Sequence, residues 1–137
     1  MNEKQLLDLC LRFPDACVDY PFRDDNTPVL RHRGNRKWFG MILHLNGELC
    51  INLKCEPEKA EFWRSTYSGV TPAWHMNKLH WNTVYPNKAM PLRDLQEMIE
   101  DSYQLTQSHQ KGKSVWPRIG PDAFSYHCIY LKLRRKN

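Results

Sequence analysis

Three extended runs, PVLRHR, RKWFGMILHL and ELCINLK, are separated only by Gly34-Asn35 and Asn46-Gly47. Both dipeptides suit two-residue hairpin turns, which need positive φ at their central positions and so favour glycine and asparagine. Runs joined this tightly pair with their neighbours, and the spacing predicts a three-stranded antiparallel meander at the centre of the chain.

Helical patterns flank the meander. EKQLLDLCLRF places Leu6, Leu7, Leu9, Cys10 and Phe13 at helical spacing and stops before Pro14, because proline disfavours α geometry in its predecessor. DYPFRDDNTP then reads as a polar, turn-rich connection. EPEKAEFWRSTY reads as a short helix opened by Pro57, where a missing N–H costs little, with Ala60, Trp63 and Tyr67 facing inward. AWHMN and HWNTVY read as two more strands, and PLRDLQEMIEDSYQLT as the strongest helix, with Leu92, Leu95, Met98, Ile99, Ser102 and Leu105 in period. The predicted fold class is α+β, in the order α-β-β-β-α-β-β-α, with helices packed against an antiparallel sheet. One domain is expected over residues 1–110. Residues 111–137 form a basic C-terminal extension that reads equally as an added strand, a docking arm or a disordered tail.

The net charge of +5 raises nucleic acid as a partner, but its distribution decides how much it says. Residues 1–110 hold 13 Lys and Arg against 14 Asp and Glu, while residues 111–137 hold 7 against 1. The excess therefore belongs to the extension, and any argument for the folded part has to rest on a local patch. The first residues lack the basic start and apolar run of a signal peptide, and no stretch approaches a membrane span, so a cytoplasmic location is expected. Cys10, Cys17, Cys50, Cys55 and Cys128 show no C-x-x-C pair and are expected to stay reduced.

Metal chemistry is not expected. Cys50 and Cys55 lie five apart on a predicted strand, which sends them to opposite faces, and His75 and His80 meet only if a turn falls between them. Two histidines without a third ligand fall short of a zinc site. The glycines match neither a P-loop nor a dinucleotide fingerprint, and G-x-S-x-G is absent, so no enzymatic activity and no cofactor are expected.

The basic hairpin RHRGNRKWF carries more information. If Gly34-Asn35 is a two-residue turn, Arg33 faces Arg36, His32 faces Lys37 and Arg31 faces Trp38. Like charges opposed across strands are unfavourable by a few tenths of a kcal/mol, and an anion lying across them would reverse the sign. Arg31, Arg33, Arg36, Lys37 and Trp38 thus form a candidate DNA-binding tip that joins phosphate-binding charge to a stacking ring. The competing reading is a solvated tip with Trp38 entering the core beside Ile42 and Ile51.

With LLDLC, NLKCEPE, WHMNKLHWNTV and MIEDSYQL in this order, the chain resembles the MmcQ/YjbR family from residue 3 to the region of Gln107. The resemblance implies an α-β3-α-β2-α fold similar to the double-wing DNA-binding domain of a phage transcription activator, and a family commonly described as DNA-binding with no catalytic residue to carry over. Its motif falls on Lys54, His75, Asn77, Lys78, His80 and Trp81. The basic extension departs from the family pattern. A DNA-binding protein acting without cofactor through the hairpin and the 75–81 turn is therefore the leading expectation. The alternative is a protein- or peptide-binding module using a groove on the sheet.

Overall fold

The structure is a computed structural model that describes residues 1–23, 26–73 and 76–108. It divides the chain into two units, Met1–Gln107 and Ser108–Asn137, and all that follows concerns the first. The expected extension at 111–137 lies outside the described residues.

Helix α1 (Glu3–Cys10) starts at Asn2, whose side chain accepts the Gln5 amide at 2.8 Å while Gln5 Oε1 accepts the Asn2 amide at 2.9 Å. This reciprocal cap satisfies two of the donors that a helix N-terminus leaves open. Strands β1 (Ala16–Asp19), β2 (Val29–His32), β3 (Trp38–Leu45) and β4 (Glu48–Lys54) follow, then α2 (Pro57–Thr66), β5 (Val70–Pro72), β6 (Trp81–Val84) and α3 (Leu92–Thr106). The result is α+β, with three helices and one antiparallel sheet in the order β1-β2-β3-β4-β6-β5. Among the described residues no helix is long and apolar enough to cross a membrane.

Two elements differ from the sequence-based order. β1 is an additional strand, paired to β2 from Ala16↔His32 to Asp19↔Val29. Its composition, with alanine and flanking aspartates, gives little β signal, and pairing rather than propensity creates it. β5 occupies residues 70–72, ahead of the expected AWHMN run, two of whose residues, 74 and 75, lie outside the described residues, and it includes Pro72 opposite Asn82. An edge strand tolerates proline because the missing N–H can point away from the ladder.

The registers sort the sheet into two faces. Leu30, Ile42, Ile51, Leu53 and Val84 share one face, and they form a single cluster with Leu6 and Cys10 of α1, Ala60 and Trp63 of α2, and Leu95, Ile99 and Tyr103 of α3. All three helices thus bury their apolar side chains on that side. Leu92 departs from its expected inward place: at the first turn of α3 it is 52% exposed. Val29, Met41, Cys50, Asn52 and Thr83 alternate onto the second face, which carries no helix among the described residues, and they lie outside the cluster. Cys50 and Cys55 do fall on opposite sides, Cys55 being in the cluster.

The β2–β3 pairing shifts register between Leu30, opposite Gly40, and Arg31, opposite Trp38. The extra residue is Phe39, and this bulge turns its ring to the helix side, 6.4 Å from Phe13, 5.2 Å from His32 and 5.3 Å from Tyr103 between centroids. Next to it the β3–β4 ladder stops at Gly40↔Leu53. The Ser102 hydroxyl of α3 takes the following position: it accepts the Lys54 amide at 2.9 Å and donates to the Phe39 carbonyl at 2.5 Å.

Candidate nucleic-acid interface

The β2–β3 loop is longer than the expected two-residue turn. His32 N–H donates to the Lys37 carbonyl and Arg36 N–H to the His32 carbonyl, both at 3.0 Å, so Arg33 to Arg36 form the loop. The left-handed residue is Arg36, at φ 63°, and Gly34 is not in that region. Asn35 explains the difference. Its Oδ1 accepts the Lys37 amide at 2.9 Å and its Nδ2 donates to the Thr106 carbonyl at 2.9 Å, so the side chain brackets the loop and ties it to the end of α3. Arg31 faces Trp38 as the register predicts, but Arg33 and Arg36 lie within the loop and are not an opposed ladder pair.

The charge balance of the tip also differs. Arg31 Nε lies 3.0 Å from Asp19 Oδ2, its Nη1 donates to the Arg36 carbonyl at 3.1 Å, and its guanidinium sits 5.3 Å from the Trp38 ring centre. Arg36 Nη2 lies 3.7 Å from the same aspartate oxygen. β1 therefore supplies an internal anion for the repulsion that an external ligand was expected to relieve. Arg33 and Lys37 are exposed and have no carboxylate at ion-pair distance among the described residues. Trp38 does not enter the core beside Ile42 and Ile51; it stays half-buried on the second face, with Phe22 against it edge-on at 5.9 Å.

Behind the loop, His32 is fully buried, with Nε2 2.8 Å from Thr106 Oγ1 and Nδ1 3.7 Å from Asp15 Oδ2. Burial holds its pKa below the ordinary value of 6.5, with Asp15 opposing that shift. Cys10 and Cys55 are pushed up to about 12 and Cys50 to about 11, in each case chiefly by burial, so these thiols are poor nucleophiles.

His75 lies outside the described residues. The remaining motif residues divide into builders and surface groups. Asn77 Oδ1 accepts the Leu79 amide at 2.9 Å and its carbonyl accepts the His80 amide at 3.2 Å, while the His80 carbonyl accepts the Cys55 amide at 2.8 Å. Asn77 and His80 thereby fix the loop that leads into β6. Lys78 is exposed, and its carbonyl accepts from Arg64 at 3.3 Å. Lys54 and Trp81 are register partners, both half-buried, on the second face.

The sheet order brings the two candidate sets together. β2 and β4 end, and β3 and β6 begin, at one edge of the sheet. Arg31, Trp38, Lys54 and Trp81 consequently stand on four neighbouring strands, on one face and at one end, as an alternating row of cations and indoles. Arg33, Lys37 and Lys78 occupy the adjoining loops. Each of the four begins, ends or adjoins the end of its strand, which is the one signal in the sequence pointing to the row, and it becomes visible only once β4 is known to neighbour β6. No group of three or more His, Cys, Asp or Glu able to hold a metal ion occurs among the described residues.

A family model described as YjbR matches residues 11–105. Uncharacterized protein YyaQ of Bacillus subtilis is 34% identical over 99 residues, covering 64% of this chain and 83% of the relative. Uncharacterized protein YbdF of Escherichia coli O157:H7 is 38% identical over 97 residues, covering 71% and 77%. Among solved structures, a Pseudomonas syringae protein superposes with a TM-score of 0.70 at 34% identity, over 78% of this chain and all of the other. A Deinococcus radiodurans protein does so with a TM-score of 0.67 at 28% identity, over 84% and 83%.

Proposed function

The chain belongs to the YjbR family, and from the arrangement of its sheet we propose that it binds DNA, without cofactor or chemical step, at the hairpin end of the helix-free face. The row Arg31, Trp38, Lys54, Trp81 carries this reading. It sets stacking rings and cations side by side, and three exposed cations, Arg33, Lys37 and Lys78, stand around it to meet phosphates. Arg31 and Arg36 contribute less to phosphate binding than their charge implies, because Asp19 already holds them. The peptide-binding alternative has less support. Among the described residues the exposed large apolar side chains are few, Met1, Tyr20, Phe22, Leu79 and Leu92, and they come from four different segments of the chain.

Binding of this kind is salt-dependent and weak when non-specific, with Kd of order 10⁻⁴ to 10⁻⁶ M at physiological salt. The test is the slope of log K against log salt for the full chain with duplex DNA, compared with a variant carrying Arg33→Ala, Lys37→Ala, Lys54→Ala and Lys78→Ala. Each lost phosphate contact lowers the slope by about 0.9, so the variant should lose about 3.6. The basic extension is common to both proteins and cancels. An unchanged slope overturns the reading, and so does the absence of binding to both duplex and single-stranded DNA at roughly 50 mM salt.

A further inference from the structure

We infer that the preferred ligand of this face is a single strand, with unpaired bases stacked on Trp38 and Trp81 and the backbone between them held by Lys54. This deepens the DNA-binding reading and rests on it. Trp38 on β3 and Trp81 on β6 are separated by the one strand that carries Lys54. Neighbouring strands lie ~4.8 Å apart, which puts the two indoles on the order of 10 Å from each other. Bases within a duplex strand follow at ~3.4 Å, each covered on both faces by its neighbours, and cannot present themselves to rings at that spacing. Splayed bases of a single strand can, and a cation between two rings is where the connecting phosphate would lie.

Two further observations favour a single strand. Reading the major groove of a duplex takes a helix or a two-stranded ribbon that projects into it. Here the β2–β3 loop is held back against α3, by Asn35 Nδ2 on the Thr106 carbonyl at 2.9 Å and by His32 on the Thr106 hydroxyl at 2.8 Å. The surface is a platform. Trp38 is also ordered in advance, with the Arg31 guanidinium 5.3 Å from its centre and Phe22 at its edge, and Arg31 is itself fixed by Asp19. A ring already held in place loses little freedom when a base stacks on it.

The experiment measures binding of the full chain, at roughly 50 mM salt, to three probes of equal length: oligothymidine, a duplex, and a strand of abasic sugar phosphates that keeps the charge but has no bases. Oligothymidine should bind more tightly than either of the others. Trp38→Ala and Trp81→Ala should each weaken oligothymidine binding by about 5- to 150-fold, the range seen when a stacking ring is truncated, and leave the abasic strand unaffected. Trp→Phe at either position should recover most of the loss. Equal binding of oligothymidine and the abasic strand removes the stacking inference but leaves DNA binding standing. So does duplex binding tighter than oligothymidine, and so do alanine variants that bind like the parent. Failure of all three probes to bind removes both. If an alanine variant does not fold, Trp38→Leu or Trp81→Leu, which keeps apolar bulk without an aromatic face, takes its place against the parent, a comparison in which the extension cancels.

Discussion

His32 is a polar residue placed where an apolar one would be expected, between Phe39 and Tyr103, with ring centroids 5.2 and 4.5 Å away. Its position on β2 was readable from the register, and its burial was not, since a histidine in a run of arginines looks like part of a charged tip. The bulge at Phe39 turns that side of the hairpin inward. Because burial depresses its folded pKa below 6.5, the unfolded chain takes up the proton first as pH falls, so the stability His32 supports is present above 6.5 and lost on acidification through the lower folded value. The unfolding free energy of the parent relative to His32→Gln, measured by denaturant titration, should therefore fall as pH drops below 6.5. A difference between the two proteins that does not change with pH would contradict the shift; the parent profile alone does not decide it, because the Asp101 carboxyl, pushed up to about 6 chiefly by burial, adds stability toward acid in both.

At the scale of elements, the meander illustrates what local chemistry decides. Asn46 and Gly47 have φ of 52° and 79°, and the strands pair as Leu45↔Glu48, as a two-residue turn demands. Gly34-Asn35 carries the same signal and behaves differently, because Asn35 has a partner on α3 that no local pattern contains. The link between α3 and the β3–β4 pair is likewise non-local. Ser102 keeps helical period in the sequence, yet its hydroxyl replaces a ladder bond between Phe39 and Lys54. In Ser102→Ala those two backbone groups lose their partner in a buried setting, and an unmet buried group costs about 1–3 kcal/mol. Denaturant unfolding should show a loss in that range. A change within a few tenths of a kcal/mol would mean that the two strands close and pair directly.

Across the whole molecule, fold class and helices followed from periodicity, whereas the site did not. Trp38 and Trp81 were legible as members of two separate patches, one basic hairpin and one family motif. What joins them is the insertion of β6 between β4 and β5, a long-range pairing that depends on Cys55, His80 and Asn77 closing the loop end. The charge division is a property of the same scale. Among the described residues the core cluster runs from Leu6 to Tyr103, and truncation after Ser108 is expected to leave a cooperative thermal transition while removing the +6 of residues 111–137. Loss of that transition would show that the later residues complete the folded unit.

The tether from Asn35 and His32 to Thr106 bears on the kinetics of recognition. Arg36 and Lys37 already have their amide hydrogens engaged, by the His32 carbonyl and the Asn35 side chain, before any ligand arrives. On the proposed reading, a surface with so little slack would meet a nucleic acid as a rigid body. Encounter would then be limited by diffusion and charge rather than by waiting for a closed form, and differences in residence time between nucleic acids would arise from how long each base remains on its ring.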